Sequence, residues 1–456
     1  MRLLDQTATL TSRDTKRHLP IPFTLAAGTT HLNVGFTYGR IDGQAGQGLL
    51  SLSLFDPNEA RGAGHCRDDN NIRLSAHYAT PGFIPGDLNA GEWTLVIDTH
   101  MVLPNGDLTY TLTIDADSDP VTETAPDYRK PTFYPQIRGW YRGDLHGHTI
   151  HSDGQWDVPD RVAEARARGL DFVTLTDHNT PSPLPQIDSL ATPELLTMGG
   201  IELTTYYGHC LALGVRHWVE WRINPHDGSH YSMRELAAMV TAGGGLFVIA
   251  HPMAPGDPVC TGCDWQYPDM MPGTAGLVEV WNGEWSAYNE DGLALWYRWL
   301  NEGHHLTATA GTDTHGPASQ PQPRLGFNVV YAEALTEPAI LAAVRDGRSY
   351  LSADGFSLIL TAKASDGRSA RMGETIAAKT GESIAINVIW TQAANLPGTE
   401  LKLIVNGQPF ESITPDQSGS HAWAIPVTAN SWIVAELRDA AGQMCALTNP
   451  IFVQMG

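Results

Sequence analysis

Between residues 139 and 316 the chain repeats one arrangement: an apolar run that reads as a strand ends, and a histidine or carboxylate follows at once. The runs at 139–145, 172–176, 196–201, 246–250 and 306–310 lead respectively into His146 and His148, His178, Glu202, His251, and Asp313 with His315. Helical segments at 157–169, 233–241 and 292–303 separate several of these runs. The first has Asp157 suited to the N-cap, a proline in its first turn and Gly169 as its stop. Helix followed directly by strand, repeated, demands a parallel sheet, and the repetition predicts that the sheet closes on itself. The C-terminal ends of such strands converge on one face, so residues far apart in sequence are expected to meet in one cleft.

The flanks have a different period. Residues 1–135 carry short alternating runs at 50–55, 93–97 and 108–114 bounded by turn formers, which predicts a β-sandwich. A proline-rich stretch at 125–135 reads as a linker. Residues 357–456 return to alternation, with Asn406-Gly407 as a hairpin turn, and predict an immunoglobulin-like sandwich. The middle domain is therefore expected at 136–356. A formal charge of −22 argues against nucleic acid or an anionic membrane as partner. The first residues lack a continuous apolar run, and no stretch is long enough to span a bilayer, so a cytoplasmic location is expected.

Cysteine plays no part in the repeated motifs, and a histidine-plus-carboxylate set suits Zn, Mn or Fe while leaving positions open for water. The i, i+2 spacing of His146/His148 and of Asp313/His315 points both side chains of each pair to one side. In the fullest reading His146, His148 and Asp313 hold one ion, His209 and His251 a second, and Glu202 bridges them. Asp153, His178 and His315 hold a third. His151 falls outside the pattern as a rim residue, and His304-His305 precedes a strand and reads as surface. Asn282 reads equally as a substrate contact or a turn former. Cys260-Thr-Gly-Cys263 has no second pair to complete a structural zinc site and reads as a loop with free or incidentally bonded thiols. Gly243-Gly-Gly245 precedes a strand, so it reads as a helix-terminating turn rather than a phosphate cradle. Nothing forms a nucleophile elbow.

The motifs His146-Gly-His148-Thr-Ile-His-Ser-Asp153-Gly154, Thr176-Asp-His-Asn179, His251-Pro252 and Asp313-Thr-His315 resemble those of the PHP (polymerase and histidinol phosphatase) superfamily. The segment Glu202 to His209, with the long β flanks, further resembles the CehA/McbA-like metallohydrolases. The resemblance implies an α/β fold, a distorted (β/α)7 TIM-like barrel, with two or three divalent metal ions that activate a water for hydrolysis. At a position that is His or Asp in the superfamily this chain has Asp153.

Three readings follow as expectations, two of them hydrolases of a small-molecule substrate. A phosphoesterase is the superfamily default; it needs cations, and Arg138, Arg142, Arg216, Arg222 and Arg324 are available, Arg142 lying just before the first motif. A carbamate, ester or amide hydrolase needs an apolar pocket, for which Tyr206, Tyr207, Trp218, Trp221, Trp281 and Trp285 are at hand. A non-catalytic metal-stabilised module would show decayed motifs, and these are intact. Glu202, Arg142 and His315 are the expected catalytic residues, with His315 a general acid where only two metals bind.

Overall fold

The computed structural model describes residues 1–456 except 41–47, 105, 133–136, 227–230, 318–323, 354 and 393–397. The expected boundary at 135/136 lies outside the described residues. The N-terminal part is two four-stranded antiparallel sheets. One runs in the order Arg2–Leu10, Leu108–Asp117, His31–Tyr38, Ile72–Ser75; the other runs Arg17–Leu25, Gly91–Val102, Gly48–Phe55, Ala60–Gly64. Alternation puts Leu32, Val34, Leu112 and Ile114 of the first against Leu52, Leu54, Leu95 and Ile97 of the second, in one core around Trp93.

The middle part is mixed α/β. Its sheet runs Thr307–Gly311, Leu277–Asn282, Leu246–Ile249, Gly208–Leu213, Leu196–Thr205, Phe172–Leu175, Ile137–Asp144 and Phe327–Ala334. An isolated parallel bridge between Gly147 and Thr314 joins the two chain segments that leave the first and the penultimate of these strands. There Asp313 N–H donates to the His146 carbonyl and His148 N–H to the Thr314 carbonyl, each at 3.0 Å. Local signals fix the helices. The Asp157 carboxylate caps Val158–Ala167, and a reciprocal capping box between Ser232 and Glu235 starts Met233–Ala242.

Strand and helix do not alternate evenly along this part. The described residues contain five α-helices in the whole chain, and Gly208–Leu213 is antiparallel to both of its neighbours. The cause is a hairpin: Tyr206-Tyr207 turn the chain straight back after Thr205 without a crossover helix. Gly208 has φ +150, and a Cβ there would meet the Trp265 ring, so only glycine fits the return.

Beyond Phe327–Ala334 the sheet runs on without a break across residue 357. Ser349–Ser352 pairs with Met444–Thr448, and the last strands of the chain extend the same sheet. A separate sheet of Ser369–Arg371, Phe356–Lys363, Ser383–Gln392 and Ser418–Pro426 packs on it over Leu360, Ile386, Leu403 and Ile433. Asn449 clasps the middle part through its side chain, bonding both N–H and carbonyl of Ala308 at 2.8 and 3.1 Å.

Candidate metal centre

The strand ends deliver their side chains to one buried cluster. His146, His148, His178, Glu202, His209 and His251 are all buried, and Asp313, Asp153 and His315 complete the group toward the cavity. Glu202 sits at the centre. Its Oε1 lies 3.0 Å from His209 Nδ1 and 3.1 Å from His251 Nε2. Its Oε2 lies 3.1, 3.3 and 2.9 Å from His146 Nε2, His148 Nε2 and His178 Nδ1. Asp313 Oδ1 stands 2.8 Å from His148 Nε2 and 3.4 Å from His146 Nε2. Glu202 comes from inside a ten-residue strand rather than from its end, and His209 is the second residue of the returning strand of the hairpin. His178 stands between two groups, its Nε2 3.5 Å from Asp153 Oδ1, which is also 3.2 Å from His315 Nε2.

The donor set fits divalent cations on the structure's own terms. His146 Nε2 and Glu202 Oε2 are buried and close, yet neither has a hydrogen-bond partner among the described residues; Asp153 Oδ1 is in the same condition. Ligand atoms on one cation with bonds of about 2.0–2.2 Å stand about 2.8–3.6 Å apart, from octahedral to tetrahedral. The separations above fall in that range. Two such groups of side chains are His146, His148, Glu202, Asp313 and His148, Asp153, His178, His315.

Charge follows the packing. Burial opposes ionisation of Glu202, but His178, His146 and His209 outweigh it and hold the carboxyl well below the usual range. Burial likewise opposes protonation of His146, yet Asp313, Glu279 and Glu202 raise it well above the ordinary value. His148, buried beside His178 and His315, is pushed down to about 3 and stays a neutral donor of a lone pair. His315 is raised to about 10, because Asp153 outweighs its burial. Backbone geometry adds strain at the same place: Asn179, His251 and Asp313 are non-glycine residues at φ 57, 26 and 49. Such conformations cost of order 1–3 kcal/mol each and persist where the surroundings impose them.

Glu279 is a member of the cluster that sequence reasoning missed. Its Oε1 accepts from His146 Nδ1–H at 3.0 Å and its Oε2 from the His251 backbone N–H at 3.1 Å. Asn282 Nδ2 donates to both Glu279 and Asp313 at 3.2 Å, so it braces carboxylates at the cluster. The signal was present: one acid inside the apolar run 277–281.

Arg142 is not brought to the centre. It lies two residues, about 6.6 Å, before the strand end. Its guanidinium covers the Phe327 ring at 4.1 Å and reaches the Arg168 carbonyl at 3.4 Å, toward the helix layer. The other arginines put forward for substrate are paired elsewhere: Arg138 with Glu333, Arg216 with Asp188 and Glu337, Arg222 with Glu220, Arg324 with Asp439. His151 bonds Ser182 Oγ at 2.7 Å and lies off the cluster; His305 stacks on Phe452. Cys260 and Cys263 form a disulfide.

A cavity of about 700 Å³ opens over the cluster. Asp153, His178, Glu202, His209, His251, Asp313 and His315 form its floor, and the N-terminal sandwich forms the opposite wall with Leu49, His65, His100, Met101 and Leu103. Among the described lining residues Arg40 is the one arginine or lysine, and it is engaged with the Cys66 carbonyl at 2.9 Å and with Asp68 at 3.2 Å. The aromatic residues expected to supply an apolar pocket do not line it. Tyr206, Trp221, Trp281 and Trp285 are core residues, and the apolar surface comes instead from Leu49, Met101 and Leu103 of the sandwich with Pro258 and Val259 of a loop.

No family model matches the sequence, and no curated protein does. Among solved structures the chain is similar to a two-domain protein from Bacteroides vulgatus containing a predicted PHP-like metal-dependent phosphoesterase, at 17% identity and TM-score 0.40, over 71% of this chain and 99% of that one. It is also similar to an amidohydrolase from Chromobacterium violaceum with bound sulfate and no metal, at 16% identity and TM-score 0.28, over 38% of this chain and 88% of that one. At these scores neither likeness decides the fold or the reaction of this chain.

Proposed function

We propose that the protein is a metal-dependent hydrolase of small phosphoesters, with its site on a distorted (β/α)7-type barrel between accessory β domains at 1–135 and 357–456. The observation that carries the reading is Glu202, whose two oxygens face two different sets of imidazoles and so serve as a shared ligand. In this reading His146, His148 and Asp313 hold one divalent cation, Zn, Mn or Fe, and His209 with His251 hold a second. Asp153, His178 and His315 hold a third. Bound cations supply a water acidified toward neutrality and polarise the scissile group. The chain's own part is positional: Glu279 fixes the His146 ring, and Asn282 braces Asp313. Where only two cations bind, as in the second reading below, His315 would instead keep its proton beside Asp153 and deliver it from Nε2 to the leaving oxygen. Arg142 has no role in this scheme.

Metal count and substrate charge are linked. Asp153, Glu202, Glu279 and Asp313 bring four negative charges to the centre. Three divalent cations leave a net of about +2, which attracts a phosphoester anion although the wall offers one engaged arginine. Two cations leave about zero, which suits a neutral carbamate or carboxylic ester. That second reading is favoured by the apolar wall of Leu49, Met101 and Leu103. The metal-loaded protein, assayed against bis(p-nitrophenyl) phosphate and 1-naphthyl methylcarbamate, tests both. Turnover of the phosphodiester is the expected result; turnover of the carbamate alone transfers the assignment to the second reading, and hydrolysis of neither by fully loaded protein refutes both.

A further inference from the structure

Across the cavity from the motif residues, the N-terminal sandwich carries a second donor group that none of the barrel motifs includes. His65 and Cys66 follow the strand Ala60–Gly64, and His100 lies in Gly91–Val102, the neighbouring strand but one in the same sheet. Ligand atoms of the three lie within 4.8 Å of one another. His65 Nδ1 is buried, in a residue 8% exposed, and has no hydrogen-bond partner among the described residues. Ser51 organises the other two. Its Oγ accepts the Cys66 backbone N–H at 2.9 Å and lies 2.8 Å from His100 Nε2. A histidine that ligates a metal commonly has its other ring nitrogen pinned in this way.

We propose that His65, Cys66 and His100 form a separate site for a thiophilic divalent cation, Zn2+ by the chemistry of its donors, with its open position toward the cavity. Two imidazoles and a thiolate make the soft, three-ligand set that zinc accepts while keeping a fourth position free. On binding, the Cys66 sulfur forms the metal bond and its proton leaves to solvent. The residues line the same cavity as Asp153 and His178, and the His65 ring is 4.5 Å from the His178 ring, so a cation held here adds positive charge to the wall facing the main cluster. The site stands on its own donors and does not depend on the hydrolase reading.

Cobalt distinguishes it from the main cluster. Co2+ bound to a thiolate gives a near-ultraviolet sulfur-to-metal charge-transfer band, which a centre of imidazoles and carboxylates does not give. The full-length protein carrying Cys260→Ser and Cys263→Ser is loaded with Co2+, so that the loop thiols contribute nothing; Cys210 and Cys445 are buried in the cores away from the cavity. The band is expected in this background. Adding Cys66→Ser is expected to abolish it with the loss of one equivalent of Co2+, and adding His100→Ala is expected to weaken it at least tenfold at limiting cobalt. Absence of the band from the background protein overturns the proposal, as does a band that survives Cys66→Ser. A site of substrate-contacting histidines without metal would give the first of these results.

Discussion

Replacing Glu279 with Gln tests whether a residue outside the motifs governs the metal centre. The carboxylate serves three donors at once: His146 Nδ1–H at 3.0 Å, the His251 backbone N–H at 3.1 Å and Asn282 Nδ2 at 3.2 Å. An amide of the same shape has one acceptor oxygen and an NH2 that must face a donor. Facing His146, it forces the imidazole proton onto Nε2, the nitrogen aimed at Glu202 and Asp313, and removes a ligand lone pair. Facing His251, it buries two opposed N–H groups. Loss of a carboxylate that orients a ligand histidine weakens metal binding about 10–100-fold, or about 1.4–2.7 kcal/mol. Competition against a chromophoric chelator at fixed Zn2+ measures the change, and circular dichroism confirms that the variant is folded. A folded Glu279→Gln protein whose affinity stays within about twofold of wild type would show that Glu279 does not set the His146 ring for metal binding.

Other perturbations follow from the same geometry. A Cβ at Gly311 would overlap the His146 side chain and Glu279 Oε1, so Gly311→Ala should displace a ligand and its brace together; mass spectrometry of metal content should show at least one equivalent lost from a folded protein. Arg161 is buried against Asp144, which also accepts the Thr312 N–H at 3.0 Å, so Arg161→Leu leaves a buried charge unpaired and should cost about 3–5 kcal/mol in urea unfolding. His151 is pushed down to about 3 by burial and by Arg67, from an unfolded value of 6.5. The unfolded chain therefore binds the proton first: this contribution to stability is complete above pH 6.5 and is lost as pH falls toward 3. Metal-free His151→Gln protein should lose less stability than wild type between pH about 6.5 and 4.5, read from denaturant midpoints; equal losses would contradict it.

Most residues of the cluster were legible because two local rules coincide at them. An apolar run ends, and a donor follows, at His146, His178, His251 and Asp313, each immediately beyond or near a strand terminus in the structure. Glu202 and His209 were found by type but not by setting, since a hairpin without a helix leaves only Gly208 as its local mark. That hairpin is also why the even strand–helix alternation failed. The cavity wall was not legible at all. Leu49, His100 and Met101 lie in strands whose alternation reports a sandwich core, His65 directly follows another, and no nearby residue signals that the end of that sandwich covers a cleft built about 100 residues later. Arg142 was misplaced for the opposite reason: proximity in sequence to the first motif carries no information on depth along a strand, and two residues suffice to put the guanidinium on Phe327.

Glu202 shared between two cation sites makes metal stoichiometry and turnover, measured together in wild type and Glu202→Gln, the decisive experiment. Two or three equivalents of metal in wild type, with metal content and activity both lost in the folded variant, is the predicted result. Full activity with a single bound metal, in either protein, would contradict it.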